Sequence, residues 1–411
     1  MGTFINSGSM NRTYVERSDW SNHNQSTMRM KILLAVENLV MDGVKRATTV
    51  LGNALTSQAD VAFYSLAQPR AFYELNAPLI TARRPASNAV LNYFGAAPLT
   101  VYASQLADLL ATLETGAYDA IILPGGLLTS FAPAIKRQLP RINVIAWMHN
   151  NIDVYLNQYY VQMQDELVAG LLAADTVVTL TDYDWEGYSR FNSHTVKIYN
   201  PPTMQARGQR ADLAQHVIAY TGRIDMQHKG LDYLLTVARA LPDDWQIAVA
   251  GSGPQAQMTT FYRLMDELGV RDRIIYRGAL KDTELRQHYQ RAGVFMMTSR
   301  WEGMPLVMGE AMTMGLPIIS MWNTGSAEYL QAGRHGVLTP ARDVNQLING
   351  LLPLLADQQQ REIYAMRARQ RSRDFTLSKI VRQWLALLTR QYVPQTVVES
   401  NWYADWSNEG Q

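Results

Sequence analysis

The chain has 411 residues, 47% hydrophobic and 18% charged, an ordinary globular composition with length enough for two domains. Lysine and arginine number 37 against 36 acidic residues, so no bulk charge steers the protein toward nucleic acid. Cysteine is absent, which excludes disulfide staples and thiolate metal sites.

Residues 1–29 are polar, rich in Ser and Asn, and read as a flexible extension. They lack the apolar core of a signal peptide, and Asn6 breaks the myristoylation pattern that Gly2 would begin. Met28 and Met30 directly precede the first strand, which leaves room for a start further in. No later apolar run approaches the ~20 residues of a membrane span. The expected location is the cytoplasm, with peripheral contact at the inner membrane face as an option.

Apolar runs then alternate with helix-length segments. Expected strands are Lys31–Val36, Val61–Ser65, Ala120–Leu123, Val144–Met148, Thr176–Leu180 and Val196–Tyr199. After Asn200-Pro201-Pro202 and a polar stretch to about Gln215, they resume at Val217–Tyr220, Ile247–Ala250, Ile274–Tyr276, Val294–Thr298 and Pro317–Ser320. Strands spaced by helices make βα units and a parallel sheet, and strands apolar throughout are buried on both faces. Paired prolines after a strand suit a linker. Two doubly wound Rossmann-like domains are therefore expected, 30–200 and 201–385, with ligands in the cleft at the C-terminal ends of the strands. A last helix, about Leu377–Tyr392, carries Ile380, Trp384 and Leu387 at helical spacing.

The most informative stretch is Glu302-Gly303-Met304-Pro305-Leu306-Val307-Met308-Gly309-Glu310. It follows the strand-like run Gly293–Thr298 and continues as a helix to Met314. Pro305 suits the first helical turn, where its missing N–H costs nothing. The helix then turns its free N–H groups toward the loop of Glu302, a place for anions and hydroxyls. At ~1.5 Å rise per residue, Glu302 and Glu310 fall on the order of 10 Å apart, the span of one nucleotide sugar.

The two glutamates, with seven residues between them, resemble the paired-Glu signature of the retaining glycosyltransferases of family 4, which have the GT-B fold. The string Thr298–Leu306, continuing through Glu310-Ala311-Met312 to Gly315-Leu316-Pro317-Ile318-Ile319, is similar to that family. So are Tyr220–Asp225 followed by His228-Lys229-Gly230, and Val249-Ala250-Gly251-Ser252-Gly253-Pro254. The motifs cover about residues 217–340 densely and the first half loosely. The resemblance also implies that the C-terminal end, 386–411, returns to the first, acceptor-side domain.

What the resemblance implies is weighed residue by residue. Arg223 and Lys229 flank a strand-to-helix turn and would hold the donor diphosphate, stabilising charge as the glycosidic bond breaks; alone they would read as solvated charges. Gly222, Gly251 and Gly253 would let the backbone approach the nucleotide, although Gly251-Ser252-Gly253 also reads as a tight turn. It lacks the third glycine of a dinucleotide fingerprint. Arg277 would touch the base. Glu302, Gly303, Met304, Pro305 and Leu306 would meet the sugar and phosphates, and Glu310 the ribose. His149, after the strand Val144–Met148, would sit near the donor sugar; its plainer role is a bond to a loop carbonyl. Family members carry two glycines where this chain has Asp42-Gly43, so only Gly43 permits close approach there. Pro124-Gly125-Gly126 reads as an ordinary loop at the acceptor side.

Asp182-Tyr183-Asp184 spells a metal-binding Asp-x-Asp, but Thr181 and Asp182 lie between a strand and a helix, so capping explains them. With seven His and no Cys, no metal site is expected and no cofactor is required. Trp147, Trp301 and Trp322 lie near strand ends, where core packing outweighs sugar stacking as an explanation. Met296, Met297, Met308 and Met312 read as packing.

The expected protein is a retaining glycosyltransferase, with His149, Glu302, Arg223 and Lys229 at the chemistry. It moves a hexose or N-acetylhexosamine from a nucleoside-diphosphate sugar, with UDP as the expected nucleotide, to an acceptor hydroxyl in cell-surface glycan or glycoconjugate synthesis. The alternatives are a non-catalytic GT-B partner that binds glycan or protein, a dinucleotide-dependent oxidoreductase, and a sugar-nucleotide isomerase. Candidate acceptors are lipid-linked saccharide, wall polymer, protein or small molecule. Lys136-Arg137 through Arg141, and Arg83-Arg84, would meet an anionic lipid or polymer unless they are simply a solvated face.

Overall fold

The computed structural model describes residues 29–68, 71–87 and 92–392. The expected N-terminal extension, apart from Arg29, and the tail beyond Tyr392 lie outside the described residues.

Seven parallel strands form the first sheet: β1 (Lys31–Val36), β2 (Asp60–Ala67), β3 (Leu79–Ala86), β4 (Ala120–Pro124), β5 (Asn143–Trp147), β6 (Thr176–Thr179) and β7 (Thr195–Lys197). Six form the second: β8 (Val217–Thr221), β9 (Gln246–Ala250), β10 (Ile274–Gly278), β11 (Val294–Met297), β12 (Ile318–Met321) and β13 (Val337–Thr339). The orders are 3-2-1-4-5-6-7 and 10-9-8-11-12-13. Each therefore reverses direction once, between β1 and β4 and between β8 and β11. A crevice opens at the carboxyl ends of the strands at such a switch point, and ligands bind there.

The central strands are closed to solvent on both faces. Ile32 through Ala35, Ile121 through Leu123, Ile247 through Val249, and Val294 through Met296 are fully buried, as their unbroken apolar runs require. The two strands that the apolar pattern did not reveal, β3 and β13, are both sheet edges. Strand β3 contains Arg83, Arg84 and Pro85 and is largely exposed on its outer half. Proline is tolerated there because an edge strand needs no ladder bond on its outer side.

Two of the basic residues flagged as surface contacts, Arg83 and Lys136, have local partners. The Arg83 side chain reaches Asp108 at 3.0 Å. Lys136 Nζ donates to Asp175 and to the carbonyls of Pro140 and Ile142. Among the described residues, no helix is long and apolar enough to cross a membrane.

The helix Gln358–Ser372 packs on the helix Leu306–Met314 of the second domain, and the helix Leu377–Leu388 then packs on Gly43–Leu55 of the first. Trp384 from this last helix meets Trp147 at the end of β5, with ring centroids 4.9 Å apart and both rings fully buried. Burying side chains of this size contributes about 1.5–3 kcal/mol each.

Away from the cleft, a buried charge cluster ties the domains. Glu328, on the helix Thr324–Leu330, accepts from Lys197 Nζ at 3.0 Å, Tyr199 Oη at 2.6 Å and the Asp182 amide at 2.9 Å. Asp182 in turn holds Lys197 at 2.5 Å. Asp184 bonds to Thr181 Oγ1 and the Ile152 amide, and Thr181 caps the helix Asp182–Ser189. The two aspartates of the Asp-x-Asp are thus spent on the Lys197 ion pair and on bonds to Thr181 and the Ile152 amide, with Thr181 as the cap, and neither lines the cleft.

Candidate active site

A cavity of about 870 Å³ lies between the domains. Its lining includes the ends of the strands at the two switch points: Val36 and Glu37 at the end of β1, Pro124 and Gly125 at the end of β4, Thr221 to Arg223 at the end of β8, and Ser299, Trp301 and Glu302 after β11. The volume falls in the range of sites that enclose most of a ligand of several hundred daltons.

Glu302 is at the centre, with its side chain 10% exposed. Its Oε1 accepts from Lys229 Nζ at 2.5 Å, and His228 Nε2 stands 3.9 Å away. Burial pushes this carboxyl up, but Lys229 foremost, with His228 and Ser299, outweighs burial and holds it below the usual value. It is therefore a carboxylate at neutral pH. The His228 ring donates from Nε2 to the Trp301 carbonyl at 3.0 Å and receives Arg223 Nη2 at Nδ1, 3.2 Å. Those partners require the neutral tautomer with the proton on Nε2. Burial, then Lys229, lowers its pKa to about 4, in agreement.

Arg223 is 41% exposed into the cleft, and its Nη2 lies 3.4 Å from Asp225. Most of its five guanidinium donors remain open to a ligand. Gly222, Gly251 and Gly253 lie beside it. Gly251 has φ 155°, and a Cβ there would stand 1.8 Å from the Gly222 carbonyl oxygen, so these two turns pack backbone on backbone. The sequence-expected Arg277 is different. Its guanidinium turns to His288 Nδ1 at 3.1 Å, and it is not among the residues lining the cleft; Ala279 and Leu280 line it instead.

Pro305 is the N-cap of the helix Leu306–Met314, with extended backbone (φ −68°, ψ 118°), rather than a residue of its first turn. No side chain caps that end, and Leu306 and Val307, the first helical residues, line the cleft. Glu310, one turn further in, is 1% exposed. Its Oε1 takes Arg46 Nη1 at 2.7 Å and Thr203 Oγ1 at 2.6 Å, and its Oε2 takes Tyr289 Oη at 3.0 Å. Arg46 comes from the first domain and Thr203 from the interdomain segment. Neither partner carries a motif, so no pattern could have paired them with Glu310.

On the other wall, His149 is buried beside Trp147, and its Nε2 has no partner among the described residues. Burial lowers its pKa to about 3, so it is a neutral hydrogen-bonding group at working pH. Gly43 lines the cleft, but a Cβ there would meet only Leu306 Cδ1, at 3.9 Å. Asp42 itself caps the helix Gly43–Leu55, accepting from the Val44 amide at 2.9 Å and the Lys45 amide at 3.4 Å. Its carboxylate occupies the amides that a second glycine would have left open to phosphate.

The domains touch at the base of the cleft. A Cβ at Gly303 would lie 2.1 Å from the His149 carbonyl oxygen and 2.7 Å from Asn150 Cα. Above this point, Trp301 Nε1 donates across to Tyr159 Oη at 2.9 Å. Gly303→Ala must therefore push the two backbones apart. We expect a loss of about 1–3 kcal/mol in urea denaturation and a drop in turnover on the order of tenfold or more, because the two walls lose their register.

With both cleft histidines neutral and Glu302 ionised, affinity for an intact nucleotide sugar should show no histidine step between about pH 5.5 and 8, and a step near 7 belongs to Glu37 on the opposite wall. A His of ordinary pKa at the phosphates would instead strengthen binding as pH falls below about 6.5. Calorimetry across that range distinguishes the two.

Residues 215–357 match the family Glycosyl transferases group 1. An uncharacterized glycosyltransferase of Haemophilus influenzae is 24% identical over 84% of this chain and 96% of that protein. Among solved structures, sucrose-phosphate synthase from Thermosynechococcus elongatus superposes with a TM-score of 0.76 at 20% identity, over 88% of this chain and 99% of that one. Anabaena Alr3699/HepE in complex with UDP-glucose superposes with a TM-score of 0.71 at 16% identity, over 88% and 100%. Both structures are similar in fold, with the same pair of facing parallel-sheet domains. The chain has the two-domain GT-B fold of glycosyltransferases, and residues 215–357 within its second domain match the group 1 glycosyltransferases.

Proposed function

We propose that the protein transfers a hexose or N-acetylhexosamine, with retention of configuration, from a nucleoside-diphosphate sugar to an acceptor hydroxyl in glycan or glycoconjugate synthesis. The observation that carries this reading is the Lys229–Glu302 pair beside the open Arg223 guanidinium at the β8/β11 switch point. Arg223, Lys229 and the amides of Leu306 and Val307 are donors for a diphosphate. Glu302 is an ionised acceptor for sugar hydroxyls, and His149, whose buried Nε2 has no partner among the described residues, is part of the opposite wall. Glu310 retains lone-pair capacity at Oε2 for a ribose hydroxyl.

Chemistry then rests on position and charge. The acceptor oxygen bonds to the anomeric carbon on the face from which the phosphate oxygen departs. The acceptor proton passes to that phosphate, and the nucleoside diphosphate leaves with the electron pair. Arg223 and Lys229 stabilise the charge as it grows. UDP is the first nucleotide to test, since Anabaena Alr3699/HepE is named as binding UDP-glucose. We place the protein in the cytoplasm, with peripheral contact at the inner membrane face as the site where a lipid-linked or polymeric acceptor would be met.

A panel of UDP- and GDP-sugars screened for thermal stabilisation tests the reading. At 100-fold excess over Kd, a ligand of the folded state adds about 2.7 kcal/mol, and the stabilising donor should release its nucleoside diphosphate slowly in water. No stabilisation by any nucleotide sugar would refute it. Because Arg223 and Lys229 supply the charge and the Asp-x-Asp is committed elsewhere, turnover should persist in excess chelator. Complete loss of turnover, restored by magnesium or manganese, would contradict this.

A further inference from the structure

The first-domain wall of the cleft has a chemistry of its own. Phe94, Tyr155, Tyr159 and Tyr160 form a continuous aromatic panel, with ring centroids 4.9 Å apart for Phe94–Tyr159, 5.3 Å for Phe94–Tyr160 and 4.9 Å for Tyr155–Tyr160. Tyr155–Tyr159 is a π-helical turn, a rare backbone form that recurs at functional sites. Phe94 and Tyr159 are only half-buried, so some of the panel stays open to the cavity they line. Below the panel is Glu37, directly after β1 and also in the lining. The Tyr93 amide donates to its carboxyl at Oε2, 2.9 Å.

The charges on this wall decide what it can take. Its cations are Lys45 and Arg46. Lys45 is 3% exposed, 3.6 Å from Asp42, and hydrogen-bonded to Asn92. Arg46 is held by Glu310 and the Thr203 carbonyl. Both cations are thus committed to protein acceptors, and Glu37 and Asp42 add carboxyls beside them. A phosphorylated or otherwise anionic acceptor would find no spare positive charge among these residues. A flat ring with apolar C–H faces and equatorial hydroxyls matches the wall: the face lies on the aromatic rings, and the hydroxyls find a carboxyl with lone pairs to accept them.

We propose that this wall is an acceptor subsite for a neutral saccharide, with a pyranose face on Phe94 and Tyr159 and a hydroxyl on Glu37. The proposal rests on the glycosyl-transfer reading and names the class of its acceptor. Burial lifts the Glu37 carboxyl to about 7, against the pull of Lys45 and the Tyr93 amide and with Asp42 adding to the rise. Near neutral pH it can therefore either donate to or accept from a sugar hydroxyl.

Saturation-transfer NMR with methyl α- and β-pyranosides of glucose, galactose, mannose and N-acetylglucosamine, and with methyl glucuronide as the anionic member, reads binding without any turnover. We expect at least one neutral glycoside to receive saturation on one ring face. That signal should be lost in Phe94→Ala and kept in Phe94→Tyr, which preserves the panel. In Glu37→Gln, an isosteric change, its affinity should fall roughly tenfold or more. Three results would overturn the proposal: no neutral glycoside binds, only the glucuronide binds, or binding is unchanged in both Phe94→Ala and Glu37→Gln. UDP affinity of the unaltered protein, measured by calorimetry beside it, fails separately if the donor reading is the one at fault.

Discussion

Arg223→Ala should lower turnover by ~100-fold or more while leaving the fold intact. The guanidinium is 41% exposed, and its nearest acceptors are Asp225 at 3.4 Å and His228 at 3.2 Å, so the folded state depends little on it. Surface changes of this kind stay within about 0.5 kcal/mol. What is lost is a donor aimed at phosphate charge that develops only as the glycosidic bond breaks. Lys229→Ala should cost a similar factor, but it is a compound experiment. Glu302 is buried and takes Lys229 as its close cation. Removing one partner of such a pair destabilises by about 3–5 kcal/mol, because the other charge is left stranded. Turnover measured beside urea denaturation separates the two contributions. Near-normal turnover in both variants would remove the basic pair from the mechanism.

Glu302→Gln and Glu310→Gln should fail in different ways. Glu302 sits between Lys229 and His228, where a sugar would lie, and a bare nucleoside diphosphate has no sugar for it to hold. Glu302→Gln should therefore lower the rate by ~100-fold while UDP affinity changes little. Glu310 is deeper, with three protein donors already in place. A carboxylate offers about four lone-pair positions, which leaves one for ribose. An amide at Glu310 keeps its volume but weakens the hold on Arg46 and on ribose together, so UDP affinity should fall roughly tenfold. Calorimetry with UDP on both variants is the measurement. Equal loss in both, or loss only in Glu302→Gln, would mean that the sugar and ribose ends of the site are reversed.

Much of the proposed donor half could be assembled from the sequence because its residues are close along the chain. Arg223, His228 and Lys229 share one turn, Glu302 to Glu310 share another, and the adjacency of β8 and β11 brings the two together. The central strands were legible because burial on both faces leaves an unbroken apolar run. Strand β3 was hidden because its outer half is exposed and carries Arg83, Arg84 and Pro85, and β13 because its three residues are too short a run to stand out. The proposed acceptor half was not legible. Glu37 and Phe94 come from two separate loops and Tyr159 from a π-helical turn, with no motif between them, and only the strand order places them on one wall. Nor could Arg46 be read as a partner of Glu310, since a contact between domains leaves no periodic trace. The position of Arg277 was hidden for a related reason. It ends a strand on the cleft side, yet its side chain turns to a histidine that the pattern does not foreshadow.

The central claim is transfer from a nucleotide sugar with retention. It is tested most directly by following the donor selected in the stabilisation screen by proton NMR as it is consumed, with water or a neutral glycoside as acceptor. Starting from an α-linked donor, the account predicts nucleoside diphosphate release with the α-anomeric sugar or α-glycoside appearing first, before any mutarotation. A β-configured first product would contradict retention and the front-face geometry built on Glu302, Arg223 and Lys229.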